Sequence, residues 1–211
     1  MPDLFVITGP NGAGKSSNAN SLIPKPNDFP IFDGDKLFYQ LLDKHYKEIK
    51  VPKYAREKAE HDLQDIFEHQ VNSAIIENQD FAYEGHFSSE HSWSTIKQFR
   101  LAGYKINMVF LALDDVNVSL QRVAVRVSQG GHHVAPAHIY ENYFGNIKSL
   151  DRNLALIDRL LIIDNSSTNA IHILTLEDRV ISSLTKKHLP AWLKSNMPQL
   201  MQIIERSESY R

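Results

Sequence analysis

The stretch "GPNGAGKSS", residues 9–17, joins a spaced set of glycines to a lysine and a hydroxyl, which is phosphate-binding chemistry. Gly9, Gly12 and Gly14 let the backbone take positive φ and bring its N–H groups against phosphate oxygens. Pro10, Asn11, Ala13 and Ser17 complete the loop, and the helix expected after it adds its positive end to the same spot. Lys15 would reach β- and γ-phosphates, and Ser16 would supply an oxygen to Mg²⁺. The expected ligand is ATP with Mg²⁺.

Three further groups bear on the fate of the γ-phosphate. In "FDGDKL", Asp33 and Asp35 stand where an apolar run ends. A carboxylate there can take the proton of an acceptor hydroxyl or hold a metal-bound water; Asp35 can equally cap a helix beginning at Lys36. In "FAYEGHF", Glu84 sits where a strand emerges, and an unpaired buried carboxylate there is costly. It either binds substrate hydroxyls or closes an ion pair within the fold. His86, two residues on, shares its strand face and is a second substrate-binding candidate. In "LQRVAVRVSQGGHHV", Arg122 and Arg126 lie four apart ahead of Gly130-Gly131. They suit a lid over transferring phosphate, with residues 129–136 as lid and hinge, or else a solvated helix face.

The remaining histidines, His91, His132, His133 and His138, have no spacing that compels a metal site. In "LDD", residues 113–115, an acid offers either a second magnesium ligand or a helix cap.

The elements that must position these groups alternate. Apolar runs at 3–8, 29–35, 81–87, 105–113 and 159–164 read as strands, and 170–178 as an edge strand. Helical spacing falls between them, best from Tyr54 to Ile76. Pro24 and Pro26 stop the first helix, Gly103 ends a helix over 90–102, and 190–205 reads as a helical tail. The order predicts a mostly parallel sheet covered on both faces: an α/β, P-loop NTPase-type, three-layer αβα sandwich. One domain over 1–211 is expected, with 186–211 a C-terminal helical extension, its Trp192 most simply core packing.

A formal net charge of −2 gives no general pull toward nucleic acid or anionic membrane. With no cysteine, disulfide and thiolate chemistry are excluded. The apolar runs are too short to span a membrane, so a cytoplasmic protein is the default.

Taken together, "GPNGAGKSS", "IFDGDKL", "YEGHFSS", "LQRVAVRVSQGGHHV" and "IIDNSS" resemble the zeta toxin family of kinases. Members phosphorylate a sugar hydroxyl of UDP-N-acetylglucosamine. The resemblance implies that Asp35 is the general base, that Glu84 binds substrate, and that Arg126, with Arg122, stabilises the transferring phosphoryl group. It also implies a small-molecule hydroxyl acceptor and an antitoxin partner. Three departures stand out: Phe38 replaces an arginine, His86 a threonine, and Tyr140, Glu141 and Asn142 occupy a place where relatives carry paired arginines. The alternative is an ATPase or nucleotide-dependent switch with water as its only acceptor, though neither LSGGQ nor NKxD is present.

Overall fold

The structure, a computed structural model, describes residues 1–23, 30–131, 133–185 and 189–209. Pro24, Pro26 and His132 lie outside the described residues. Among the described residues, seven strands form one sheet: β1 (Asp3–Thr8), β2 (Phe32–Asp33), β3 (Phe81–Gly85), β4 (Lys105–Ala112), β5 (Arg159–Asp164), β6 (Ile171–Glu177) and β7 (Val180–Leu184). Their spatial order is β2-β3-β1-β4-β5-β6-β7. The first five are parallel neighbours; β6 and β7 add antiparallel.

From β1 the chain reaches β3 on one side and β4 on the other. The carboxyl end of β1 is therefore the switch point where a ligand crevice opens in sheets of this kind. Thr8, Asp33, Gly85, Ala112 and Asp164 end their strands along that same edge. Register sharpens the placement: Asp33 pairs with Glu84 and Thr8 with Gly85. Facing residues of neighbouring strands sit about 4.8 Å apart, so the Asp33 and Glu84 carboxylates are close neighbours.

Helices cover both faces: α1 (Lys15–Leu22), α2 (Gly34–Ile49), α3 (Pro52–Glu77), α4 (Ser94–Leu101), α5 (Val116–Ser128), α6 (Pro136–Arg152), α7 (Ala191–Asn196) and α8 (Pro198–Ser209). No helix among the described residues is long and apolar enough to cross a membrane. The architecture is the expected mostly parallel α/β sandwich. Its core runs from Leu4, Val6 and Ile7 through Phe110 and Leu160 to Trp192, Leu193 and Leu200. The C-terminal helices thus contribute to that core. Asp151 of α6 fixes α8 by accepting from the Gln199 and Leu200 N–H groups at 3.0 and 2.9 Å.

Several boundaries differ from the sequence reading, each for a local reason. β2 is two residues long, because the helix after it begins at Gly34. Asp33, not Asp35, caps that helix by accepting from the Lys36 N–H at 2.9 Å. β6 is not an edge strand: β7 pairs on its outer side. The 90–102 helix is a 3-10 turn (Glu90–Trp93) followed by α4, and Gly103 at φ 85° ends it as expected. The tail divides into α7 and α8 at Met197, just before Pro198. The acids after β4 divide as well: Asp115 caps α5 through the Asn117 N–H.

Candidate active site

α1 begins directly behind the glycine loop, with Gly14 at φ 83° as its N-cap and no side-chain cap. Its first N–H groups are left for an anion, the ordinary way a helix N-terminus holds phosphate. Gly9 has φ 143°, and a Cβ there would come 2.2 Å from the Leu111 carbonyl oxygen, so only glycine lets the loop lie this close to β4. Gly12 packs on Arg122, whose Cβ would stand 2.9 Å from an added methyl.

Most of the residues singled out above share one cleft. A cavity of about 370 Å³ is walled by Asn11, Gly12, Gly14, Lys15, Ser16, Ser17, Asp35, Glu84, His86, Arg122 and Arg126. A neighbouring one of about 610 Å³ adds Asp33, Glu141 and Asn142. Gly9, Pro10 and Ala13 lie behind this surface, with Ala13 fully buried.

Lys15 donates to the Gly9 and Pro10 carbonyls at 3.0 and 3.2 Å. Burial lowers its pKa to about 8; Arg126 pushes the same way, while Glu84, Asp35 and Asp33 oppose. Ser16 Oγ donates to Glu84 Oε1 at 2.5 Å. Burial raises the Glu84 pKa, and the adjacent Asp33 carboxylate adds to the rise against the Ser16 hydrogen bond and the Lys15 charge. Asp35 is exposed, in the first turn of α2, and the cap being Asp33 leaves its carboxylate facing the cleft.

The two arginines have different surroundings. Arg122 donates to the Gly12 carbonyl at 3.2 Å and the Ser166 carbonyl at 2.8 Å, bracing the loop. Arg126 lines both cavities. Gly130 and Gly131 after it form a helix-ending turn: Gly130 at φ 86° donates to Val127 O, and Gly131 N to Arg126 O at 2.9 Å. This is the paired bonding of a Schellman cap. A Cβ on Gly131 would strike Arg126 Cγ at 2.6 Å, so the glycine fixes the ground beneath that arginine.

A polar network joins the departures from the family pattern. Asn11 Nδ2 donates to His86 Nε2 at 3.3 Å, and Asn142 Nδ2 donates to Asn11 Oδ1 at 3.0 Å. Asn146 accepts from Thr8 Oγ1 and from the Phe87 N–H at 3.1 and 2.6 Å. Burial and the Lys15 charge hold the His86 pKa well below its usual value, so it is neutral, with Nε2 the acceptor. Phe38, the first departure, carries Arg56 over its ring at 5.4 Å. Sequence reasoning missed Asn146, noted Asn142 only as a departure, and gave no role to Asn165 in the loop after β5, whose Nδ2 donates to the Ala13 carbonyl at 2.8 Å. Single asparagines carry no spacing signal, so only the fold reveals them.

The zeta toxin family model matches residues 1–176. The chain belongs to the zeta toxin family. No curated protein matches it by sequence. Among solved structures, it is similar to one from the PezAT chromosomal toxin-antitoxin system of Streptococcus pneumoniae, at 17% identity and TM-score 0.56, covering 99% of this chain and 85% of that one. A second is AvrRxo1-ORF1:-ORF2 with ATP, at 16% identity and TM-score 0.67, covering 93% of this chain and 63% of that one. A third is a candidate kinase of Chloroflexus aurantiacus, at 14% identity and TM-score 0.54, covering 78% and 86%. At these identities the likeness is one of fold.

Proposed function

We propose that this zeta-family protein is an ATP-dependent kinase that transfers the γ-phosphate to a hydroxyl of a small molecule. The observation that supports this best is the division of labour between the two acids after β2. Asp33 caps α2, so Asp35 faces the same cleft as Lys15 with its carboxylate uncommitted to the helix. A carboxylate so placed serves as general base toward an acceptor hydroxyl, and Lys15 with Arg126 counters charge on the transferring group. Arg122 acts from behind, holding the loop in shape.

The oxygen set around Ser16 suits magnesium. Ser16 Oγ and Glu84 Oε1 are hydrogen-bonded, Glu84 Oε2 is buried without a hydrogen-bond partner, and hard oxygen ligands of this kind are what Mg²⁺ takes beside phosphate. Among the described residues no three His, Cys, Asp or Glu side chains group to hold a metal, and Mg²⁺ needs only one or two carboxylates. Bound there, it would neutralise charge on the β- and γ-phosphates. Glu84 thus bridges two roles, toward the metal and toward substrate.

The deciding assay is transfer from γ-labelled ATP with Mg²⁺ to a panel of sugar nucleotides, nucleosides and small polar metabolites, with UDP-N-acetylglucosamine included. Label should appear in one acceptor and be lost with Lys15→Ala and Asp35→Asn. Free phosphate released alike with every acceptor would replace the kinase with a water-only ATPase. The pneumococcal neighbour comes from a toxin-antitoxin system, which supports testing for an inhibitory protein partner of this chain. The proposed dependence on ATP supports a cytoplasmic location, where ATP is supplied.

A further inference from the structure

Four buried side-chain atoms among the described residues lack a hydrogen-bond partner: Tyr83 Oη, Glu84 Oε2, His86 Nδ1 and Trp192 Nε1. Buried polar groups are nearly always paired, so such atoms need a reason. The first three belong to residues that line one cavity of about 340 Å³, on the far side of Glu84 and His86 from the phosphate loop. Phe32, Leu63 and Phe67 form its apolar walls. The Phe67 ring lies 4.9 Å from Phe32 and 5.5 Å from Tyr83. α3 shows the same cavity from its own side. The helix buries Ala55 and Ala59 near one end and Val71 and Ala74 near the other, yet Leu63 and Phe67 between them are only half-buried.

Glu84 and His86 wall both this cavity and the phosphate cleft. A molecule seated against the aromatic walls can therefore present a hydroxyl past Glu84 toward Lys15. Among the described residues the lining includes no lysine or arginine; its carboxylates and imidazoles are Glu60, Glu84, His86 and His91. Placing a phosphate or diphosphate beside two carboxylates, with no cation on the wall, is electrostatically unfavourable.

We propose that this cavity is the acceptor subsite, and that the acceptor is an uncharged or cationic alcohol bearing a flat apolar ring, not a diphosphate-bearing sugar nucleotide. The inference rests on the kinase reading above. Tyr83, kept as a neutral phenol, supplies a hydrogen bond from the cavity wall, and the aromatic cluster takes the ring. Its volume is at the small end for ligand pockets, which fits a ring with one attached sugar or polyol.

Calorimetric binding to the full chain in the presence of ADP tests this directly. The probes are nucleosides and aryl glycosides, each beside its own monophosphate and, for the nucleosides, diphosphate. At least one neutral member should bind tenfold or more tighter than its phosphorylated counterpart. Leu63→Trp, which fills the cavity, should weaken that binding at least tenfold with ADP affinity retained. Tyr83→Phe should weaken it while raising the melting temperature of the free protein, which guards against misreading a folding defect. Tighter binding of the phosphorylated forms, indifference to both substitutions, or no binding in the millimolar range would overturn the proposal. Failure of the kinase reading looks different: the neutral ligand binds and both substitutions weaken it, yet label never moves from ATP to that ligand.

Discussion

On the phosphate-loop side of Glu84, the long cationic and amide side chains are held by the protein itself. Lys15 donates to two carbonyls, Arg122 to two more, and Asn165 to Ala13. On the α3 side, the Tyr83 hydroxyl has no partner within an aromatic shell. The first region is built to hold its shape before anything binds, as electrostatic catalysis requires. The second carries a standing energetic cost that a ligand with matching polar atoms would recover. A family can thus keep the first region while the second changes with the acceptor.

The largest expected effect comes from breaking the first region at its centre. Lys15→Ala should cost about a thousandfold or more in phosphoryl transfer, since it removes a charge aimed at the transferring group, with folding unchanged by circular dichroism. Gly9→Ala attacks the same region through its backbone. With φ at 143° and Leu111 O 2.2 Å from the added methyl, the loop must move. Strain of this kind costs about 1–3 kcal/mol, so lower thermal stability and weaker ATP binding should appear together. A Gly9→Ala protein that binds ATP normally would show that the loop is not preorganised.

The pair Gly130→Ala and Gly131→Ala separates a cap from a hinge. Gly130 has open space around it, so alanine there should cost about 1 kcal/mol of stability through its positive φ and change the rate little. Gly131→Ala runs into Arg126 and should lower kcat about tenfold. Equal effects of the two on kcat would favour a hinge in which both glycines supply flexibility.

The same contrast explains what could be read from the chain alone. The glycine loop, the limits of β5 and the span of α3 follow from local spacing, which a sequence displays directly. Asp33 and Asp35 look alike in sequence, and only the observed start of α2 at Gly34 assigns the cap to one of them. β7 stayed hidden because its hairpin turn uses Asp178 and Arg179 at φ 48° and 66°, without the glycine that usually marks such a turn. The Asn11–His86–Asn142 chain is tertiary: its members are 75 and 131 residues from Asn11, and no local pattern records them.

Lys15 also offers a proton-coupled test of the phosphate side. With its pKa at about 8 in the folded chain and 10.5 as the reference, the native state binds fewer protons than the unfolded state between those values. Stability from this group therefore rises with pH across that window and is flat below it. A triphosphate beside the ammonium restores its proton affinity. ATP binding at pH 8 should take up about half a proton, seen as a buffer-dependent enthalpy, and Lys15→Met should abolish the uptake. For the same reason kcat/KM for ATP should fall as pH rises through about 8. No proton uptake at pH 8 would mean that the lysine is already fully charged in the ligand-free protein.

The smallest effect is the one that separates the two regions most clearly. In the phosphate region, deleting a polar group loses hydrogen bonds; at Tyr83 the group makes none. Burial pushes the Tyr83 pKa far up, which is the same desolvation seen from the proton's side. A buried hydroxyl without a partner costs about 1–3 kcal/mol relative to hydration, and phenylalanine keeps the ring's packing against Phe67 and Phe87. Tyr83→Phe should therefore stabilise the free protein, by about 1 kcal/mol, or about 2–4 °C in Tm for a chain of this length. A fall in Tm would show that the hydroxyl is satisfied in solution, by water or by Glu84. The α3 side would then be as preorganised as the phosphate side, and the comparison would lose its basis.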